Sequence, residues 1–100
     1  MTEYRLAAEP RADLDVAPTF DWYENEEVGL GQEFLDGLRG TYARIVDGPL
    51  AYQDLRSGIR RPLLRRFPYA VGVAVEGDVV VVLAVLHPGP DPAEWQRRRG

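Results

Sequence analysis

Apolar residues recur along this chain with two different periods. Between residues 13 and 27, Leu14, Ala17, Phe20 and Tyr23 return at intervals of three among acidic and polar neighbours, which predicts an amphipathic helix. Asp13 and Asp15 suit its positively polarised first turn. Pro18 falls inside it, where proline costs about 3 kcal/mol and kinks the axis. A bend there reconciles the two, as does a regular helix that begins only near Pro18. After a tight break at Val28-Gly29-Leu30-Gly31, a second helix is expected over residues 32–46. Phe34, Leu35, Leu38, Tyr42, Ile45 and Val46 form its apolar stripe, with Glu33, Asp36, Arg39 and Arg44 facing away. Gly37 and Gly40 each weaken it by about 1 kcal/mol relative to alanine, so packing must hold it. Asp47-Gly48-Pro49 ends it. Helices joined by so short a break form an antiparallel pair.

Elsewhere the period is that of strands. Residues 4–7 form a short first strand, broken by Glu9-Pro10, and residues 50–58 read as a loop. Residues 59–66 are expected as a strand, at an edge or bulged because of Pro62. Residues 69–76 and 79–87 are strands joined by Gly77-Asp78, a two-residue hairpin signal of the II′ kind. In the first of these, Val71, Val73 and Val75 share one face. Ala70, Gly72 and Ala74 share the other, where small side chains would let a helix approach closely. The second is apolar on both faces, which marks a central strand covered on two sides. Pro88-Gly89-Pro90 ends the sheet. Asp91 as N-cap and Pro92 at the first helical position open a short helix carrying Trp95, and Arg97-Arg98-Arg99 is a basic tail. The order predicts an α+β fold: an N-terminal strand, an antiparallel helical hairpin packed on a small, mostly antiparallel β-sheet, and a short C-terminal helix.

The 100 residues fit one domain spanning 1–100, with 45% apolar residues to build a core. No apolar run reaches the length of a transmembrane helix, and the start of the chain lacks a secretory signal pattern. Cysteine is absent, which excludes disulfides and thiolate metal sites and makes the cytoplasm the expected compartment. Charge changes the picture more. Residues 1–54 carry 4 Arg and 12 Asp/Glu (net −8), whereas residues 55–100 carry 8 Arg and 4 Asp/Glu (net +4). Arg56, Arg60, Arg61, Arg65 and Arg66 fall within eleven positions, and local field rather than net charge decides binding. There is no lysine, and the planar guanidinium fork favours carboxylate or phosphate. These arginines read equally as a binding surface or as a solvated edge paired with the acidic helices.

His87, the one histidine, stands at the end of the last strand and is a candidate acid or base, though its ring more often simply covers a sheet end. Trp22, Tyr23 and Trp95 read as core or groove-lining residues, and Tyr69 follows the arginine run directly. No metal-ligand spacing, phosphate-binding glycine loop or nucleophile elbow occurs, so no metal and no cofactor is expected.

The ordered set Asp21-Trp22-Tyr23-Glu24, Gly29-Leu30-Gly31 with Phe34-Leu35, Ile59-Arg60-Arg61 with Leu64, Arg66-Phe67-Pro68-Tyr69, Ala84-Val85-Leu86-His87 and Asp91-Pro92 with Trp95 resembles the RelE/ParE toxins of type II toxin–antitoxin systems, the ParE branch more than the RelE branch. The resemblance spans about residues 4–98. It implies a toxin held in a hetero-oligomeric complex by a cognate, ParD-like antitoxin whose C-terminal segment wraps it. It also implies inhibition of a protein target such as DNA gyrase rather than catalysis. Antitoxin or target contacts would then fall on Arg56, Arg60, Arg61, Arg65, Arg66, Tyr69, His87 and Trp95. The alternatives are a ribosome-dependent mRNA endonuclease using Arg61, Arg65 and His87, or a degenerate protein that binds antitoxin without toxicity. Pro88-Gly89-Pro90, where the family commonly carries arginines, motivates the last.

Overall fold

The first strand stops where Pro10 starts a helix. In the computed structural model, which describes residues 2–54 and 58–87, β1 (Arg5–Ala8) leads into α1 (Pro10–Glu26) and α2 (Leu30–Asp47). A 3-10 turn at Pro49–Ala51, β2 (Ala70–Glu76) and β3 (Val79–Leu86) follow. The architecture is the α+β arrangement of strand, helical hairpin and small sheet that the element order predicts. Arg56, Pro88-Gly89-Pro90, the helix expected from Asp91, Trp95 and the basic tail lie outside the described residues.

α1 begins earlier than the apolar pattern suggests, because Pro10 occupies its first turn, where the missing N–H has no partner to lose. It runs on through Pro18, which is exposed. Its buried line also differs from the expected one. Leu14 is 74% exposed, while Ala12, Thr19 and Tyr23 are buried and Val16 packs against them. Steps of three drift about 60° each around a helix of 3.6 residues per turn, whereas the 4-3-4 steps of 12, 16, 19 and 23 hold one line. The α2 stripe is as read: Phe34, Leu38 and Ile45 are buried, and Leu35, Tyr42 and Val46 partly so. Gly29, at a φ of 90°, turns the chain between the helices. Glu24 fastens the turn, its two carboxylate oxygens accepting from the Gly29 and Gly31 N–H groups at 2.9 and 3.0 Å. At Gly31 the helices touch: a Cβ there would lie 2.9 Å from Phe20.

The sheet is mixed, in the order β1-β3-β2, with β1 parallel and β2 antiparallel to the central β3. Gly77 takes a φ of 63° in the two-residue turn, the sign primed hairpins require at their first central position. Gly72 faces Ala84 but Val73 faces Val82, so Leu83 is an extra residue in β3. This bulge reverses the alternation. Val85 thereby joins Val71, Val73, Val80 and Val82 against the helices, while Leu83 and Ala84 turn to the opposite face with Ala70, Ala74 and Ile59. The helices thus cover the valine face, not the small-residue face expected to receive them. The branched side chains offer them more apolar area to bury.

β1 ends opposite Val82, and α1 takes over that edge of β3. Glu9 N–H donates to the Val82 carbonyl at 2.9 Å, and Val85 N–H donates to Asp15 Oδ2 at 2.9 Å. On the other edge, residues 59–66 are not the regular strand expected. They make isolated bridges, Arg60 to Val73 and Leu63 to Ala70. Pro62 accepts from Val71 N–H at 2.9 Å but has no N–H to return, which interrupts the ladder.

Candidate functional site

The arginine-rich segment leaves the sheet after Leu64, whose N–H donates to the Tyr69 carbonyl at 2.9 Å. Residues 65–68 swing outward as a bend, and Tyr69 N–H returns to the Phe67 carbonyl across Pro68 at 2.8 Å. This excursion sends Phe67 inward and Arg65 and Arg66 outward. Phe67 is the inner anchor: its ring stands 4.9 Å from Tyr23 and 5.6 Å from Phe34, edge-on to both, geometries that add to simple burial.

The outward arginines face α2 across an open furrow of about 450 Å³, lined by Glu33, Asp36, Gly37, Gly40, Thr41 and Arg44 on the helix and by Arg65, Arg66 and Phe67 opposite. Arg66 pairs with Glu33 at 3.1 Å and lies 5.5 Å above the Phe67 ring. Arg44 is steered by neutral oxygens, donating to Thr41 Oγ1 at 3.1 Å and to the Leu63 carbonyl at 3.4 Å. The Thr41 hydroxyl in turn donates to the Gly37 carbonyl at 2.9 Å.

The structure divides the candidates that the sequence grouped. Arg65 and Arg66 share the furrow. Arg60 is drawn away to donate to the Tyr52 carbonyl, and Arg61 is half-buried on the stretch before the bend. Tyr69 joins the aromatic cluster, 5.5 Å from Phe34, with His87 edge-on to it at 5.7 Å. Tyr23 is buried in the same cluster; burial, and to a lesser degree Tyr69, push its hydroxyl above the ordinary tyrosine range. Trp22, expected in core or groove, is 59% exposed. Arg44 was missed because it lies on the polar side of the α2 stripe; only the approach of residues 65–67 makes that side a wall.

A second groove of about 460 Å³ runs between the helices, with Val16, Phe20, Leu35, Leu38 and Tyr42 along it and Asp13, Asp21 and Arg39 at its rim. Tyr42 is raised to about 12, chiefly by burial, then by the charges of Asp13 and Asp15. None of the described helices is long and apolar enough to cross a membrane.

A chain of the chromosomal ParDE toxin–antitoxin system of P. aeruginosa superposes on this one with a TM-score of 0.76, covering 85% of this chain and 96% of that one. The two share a fold. At 15% identity, the ParDE likeness speaks for the backbone arrangement and not for individual side chains. No family model matches the chain, and no curated protein matches its sequence.

Proposed function

We propose that this chain is the toxin component of a type II toxin–antitoxin system, neutralised by a cognate antitoxin and acting by binding a protein target, DNA gyrase being the target the ParE resemblance implies. The observation that carries the reading is the ParDE-like fold across 85% of the chain, reached from a sequence whose ordered motifs resemble the same family. The two open grooves support it further, since they offer a partner cationic and apolar footholds. A binding role is favoured over RNA cleavage because the motifs resemble the ParE branch more than the RelE branch and the sequence supplies charge stabilisation more readily than an acid and a base. General acid–base cleavage needs its proton carrier and its charge stabiliser on one phosphate.

Expression of the chain alone should arrest growth and induce a DNA-damage response with double-strand breaks, and co-expression of the cognate antitoxin should relieve it. Rapid loss of full-length mRNA without DNA breaks would replace this reading with the endonuclease. Undisturbed growth at high expression would replace it with the degenerate antitoxin-binding protein.

A further inference from the structure

The furrow beside α2 holds two unbalanced positive charges. Of its three arginines, Arg66 is matched by Glu33 at 3.1 Å. Asp36 is engaged along its own helix, by Arg39 at 3.8 Å and Gln32 at 2.9 Å. Arg44 donates only to neutral oxygens. Neither Arg44 nor Arg65 has a carboxylate within ion-pair reach among the described residues. Both residues line the same open space; Arg65 can fork a carboxylate with two parallel N–H donors, and Arg44, whose Nη2 is engaged, adds its charge and its remaining donors.

The helix wall adds an independent observation. Gly37 and Gly40 lie one turn apart on the furrow side of α2. Neither has the positive φ that would call for glycine. A Cβ at Gly37 would meet Phe67 at an ordinary 3.7 Å, and one at Gly40 would meet nothing within 4 Å. Alanine would fit at both positions, and each glycine weakens the helix by about 1 kcal/mol relative to it. Nothing inside the fold offsets that loss. What the two glycines do is keep the space above the helix backbone clear, between the arginines and the Phe67 ring.

We infer that this furrow receives an extended peptide segment bearing an isolated carboxylate, the acidic side chain held between Arg44 and Arg65 and the peptide backbone lying against Gly37 and Gly40. The lining selects this occupant over a nucleic acid. A phosphodiester backbone carries a charge at every residue, but the furrow offers it only the two cations without a carboxylate partner, since Arg66 is already matched by Glu33 and Asp36 by Arg39, so its further charges would lose hydration without gaining a partner. A peptide can place one carboxylate at the arginine end and neutral or basic groups beside Glu33 and Asp36. Phe67, buried but contributing to the floor of the furrow, adds an apolar contact between them. On the toxin reading above, the segment belongs to the antitoxin; the binding chemistry itself does not depend on toxicity.

The test uses the whole chain and a blocked synthetic alanine-rich peptide with a single central glutamate. Its counterpart with a central lysine, inorganic phosphate and an oligouridylate serve as contrasts. At low salt the glutamate peptide should shift the amide resonances of Gly37 and Gly40. Arg65→Gln and Gly40→Leu should each weaken that binding roughly tenfold or more, while Gly40→Ala leaves the chain folded with a raised Tm. Unchanged affinity in both weakening variants would overturn the inference. So would equal or stronger shifts with phosphate or oligouridylate, or a peptide footprint away from both glycines. Growth arrest without this binding would remove the furrow and leave the toxin reading standing; binding without arrest would do the reverse.

Discussion

Tyr42 shows how one side chain can carry a measurable share of the fold's pH dependence. Its hydroxyl is buried between the helices near Asp13 and Asp15, and its pKa is raised from 10.0 to about 12. The folded chain therefore keeps this proton after the unfolded chain has lost it. Between about pH 10 and pH 12 the unfolded state binds fewer protons, so stability is full below pH 10 and declines as pH rises through 12. The effect is on the order of 1 kcal/mol after discounting for the residue's partial exposure. Thermal unfolding followed across that window should show the decline, and Tyr42→Phe should flatten it. A Tyr42→Phe variant with the same alkaline slope would assign the loss to other groups. The same burial was readable only in part beforehand: Tyr42 stands on the apolar stripe, but the two carboxylates near it come from α1.

At the scale of elements, α1 accepts an internal proline that local propensity resists. Pro18 is exposed, and the carbonyl it leaves without an N–H partner belongs to Leu14, itself 74% exposed, so water can satisfy that group. The core line through Ala12, Val16, Thr19 and Tyr23 holds the helix in spite of it. Pro18→Ala should accordingly stabilise the chain by about 1–2 kcal/mol, less than the full helix penalty because proline also restricts the unfolded chain. Circular dichroism should record a Tm rise of at least roughly 4 °C. An unchanged or lower Tm would mean the proline ring packs where the exposure says it does not. The helices and the β2–β3 hairpin were legible because each rests on a local signal: an apolar stripe, a glycine at a turn, a run of valines. The bulge at Leu83 and the irregular path of residues 59–66 were not. A bulge is a mismatch between two strands and has no single-strand signature here. Pro62 announced an interruption without saying how much of the strand would survive it.

For the molecule as a whole, folding redistributes the charge asymmetry of the sequence. The acidic half supplies partners to part of the arginine set: Glu33 to Arg66, Asp36 to Arg39 and Glu9 to Arg11. Arg44 and Arg65 remain turned toward the furrow. If the proposed antitoxin engages that surface, its association should slow and weaken as salt rises beyond about 0.15 M. Arg65→Ala should both reduce the affinity and shallow the salt dependence in a titration series. Binding indifferent to salt would place the contact on the apolar groove between the helices instead.

By itself the sequence determined the class of fold, the helical pair, the central position of β3 and the concentration of arginine in one stretch, because periodicity and composition act within a few residues. Only the tertiary structure decided which arginines meet. Residues 65–67 approach α2 through contacts more than twenty positions apart, so Arg44 enters the furrow wall while Arg60 is diverted to the Tyr52 carbonyl. Such pairings depend on where Phe67 anchors among Tyr23 and Phe34, a packing choice made jointly by three separate segments and written in none of them alone.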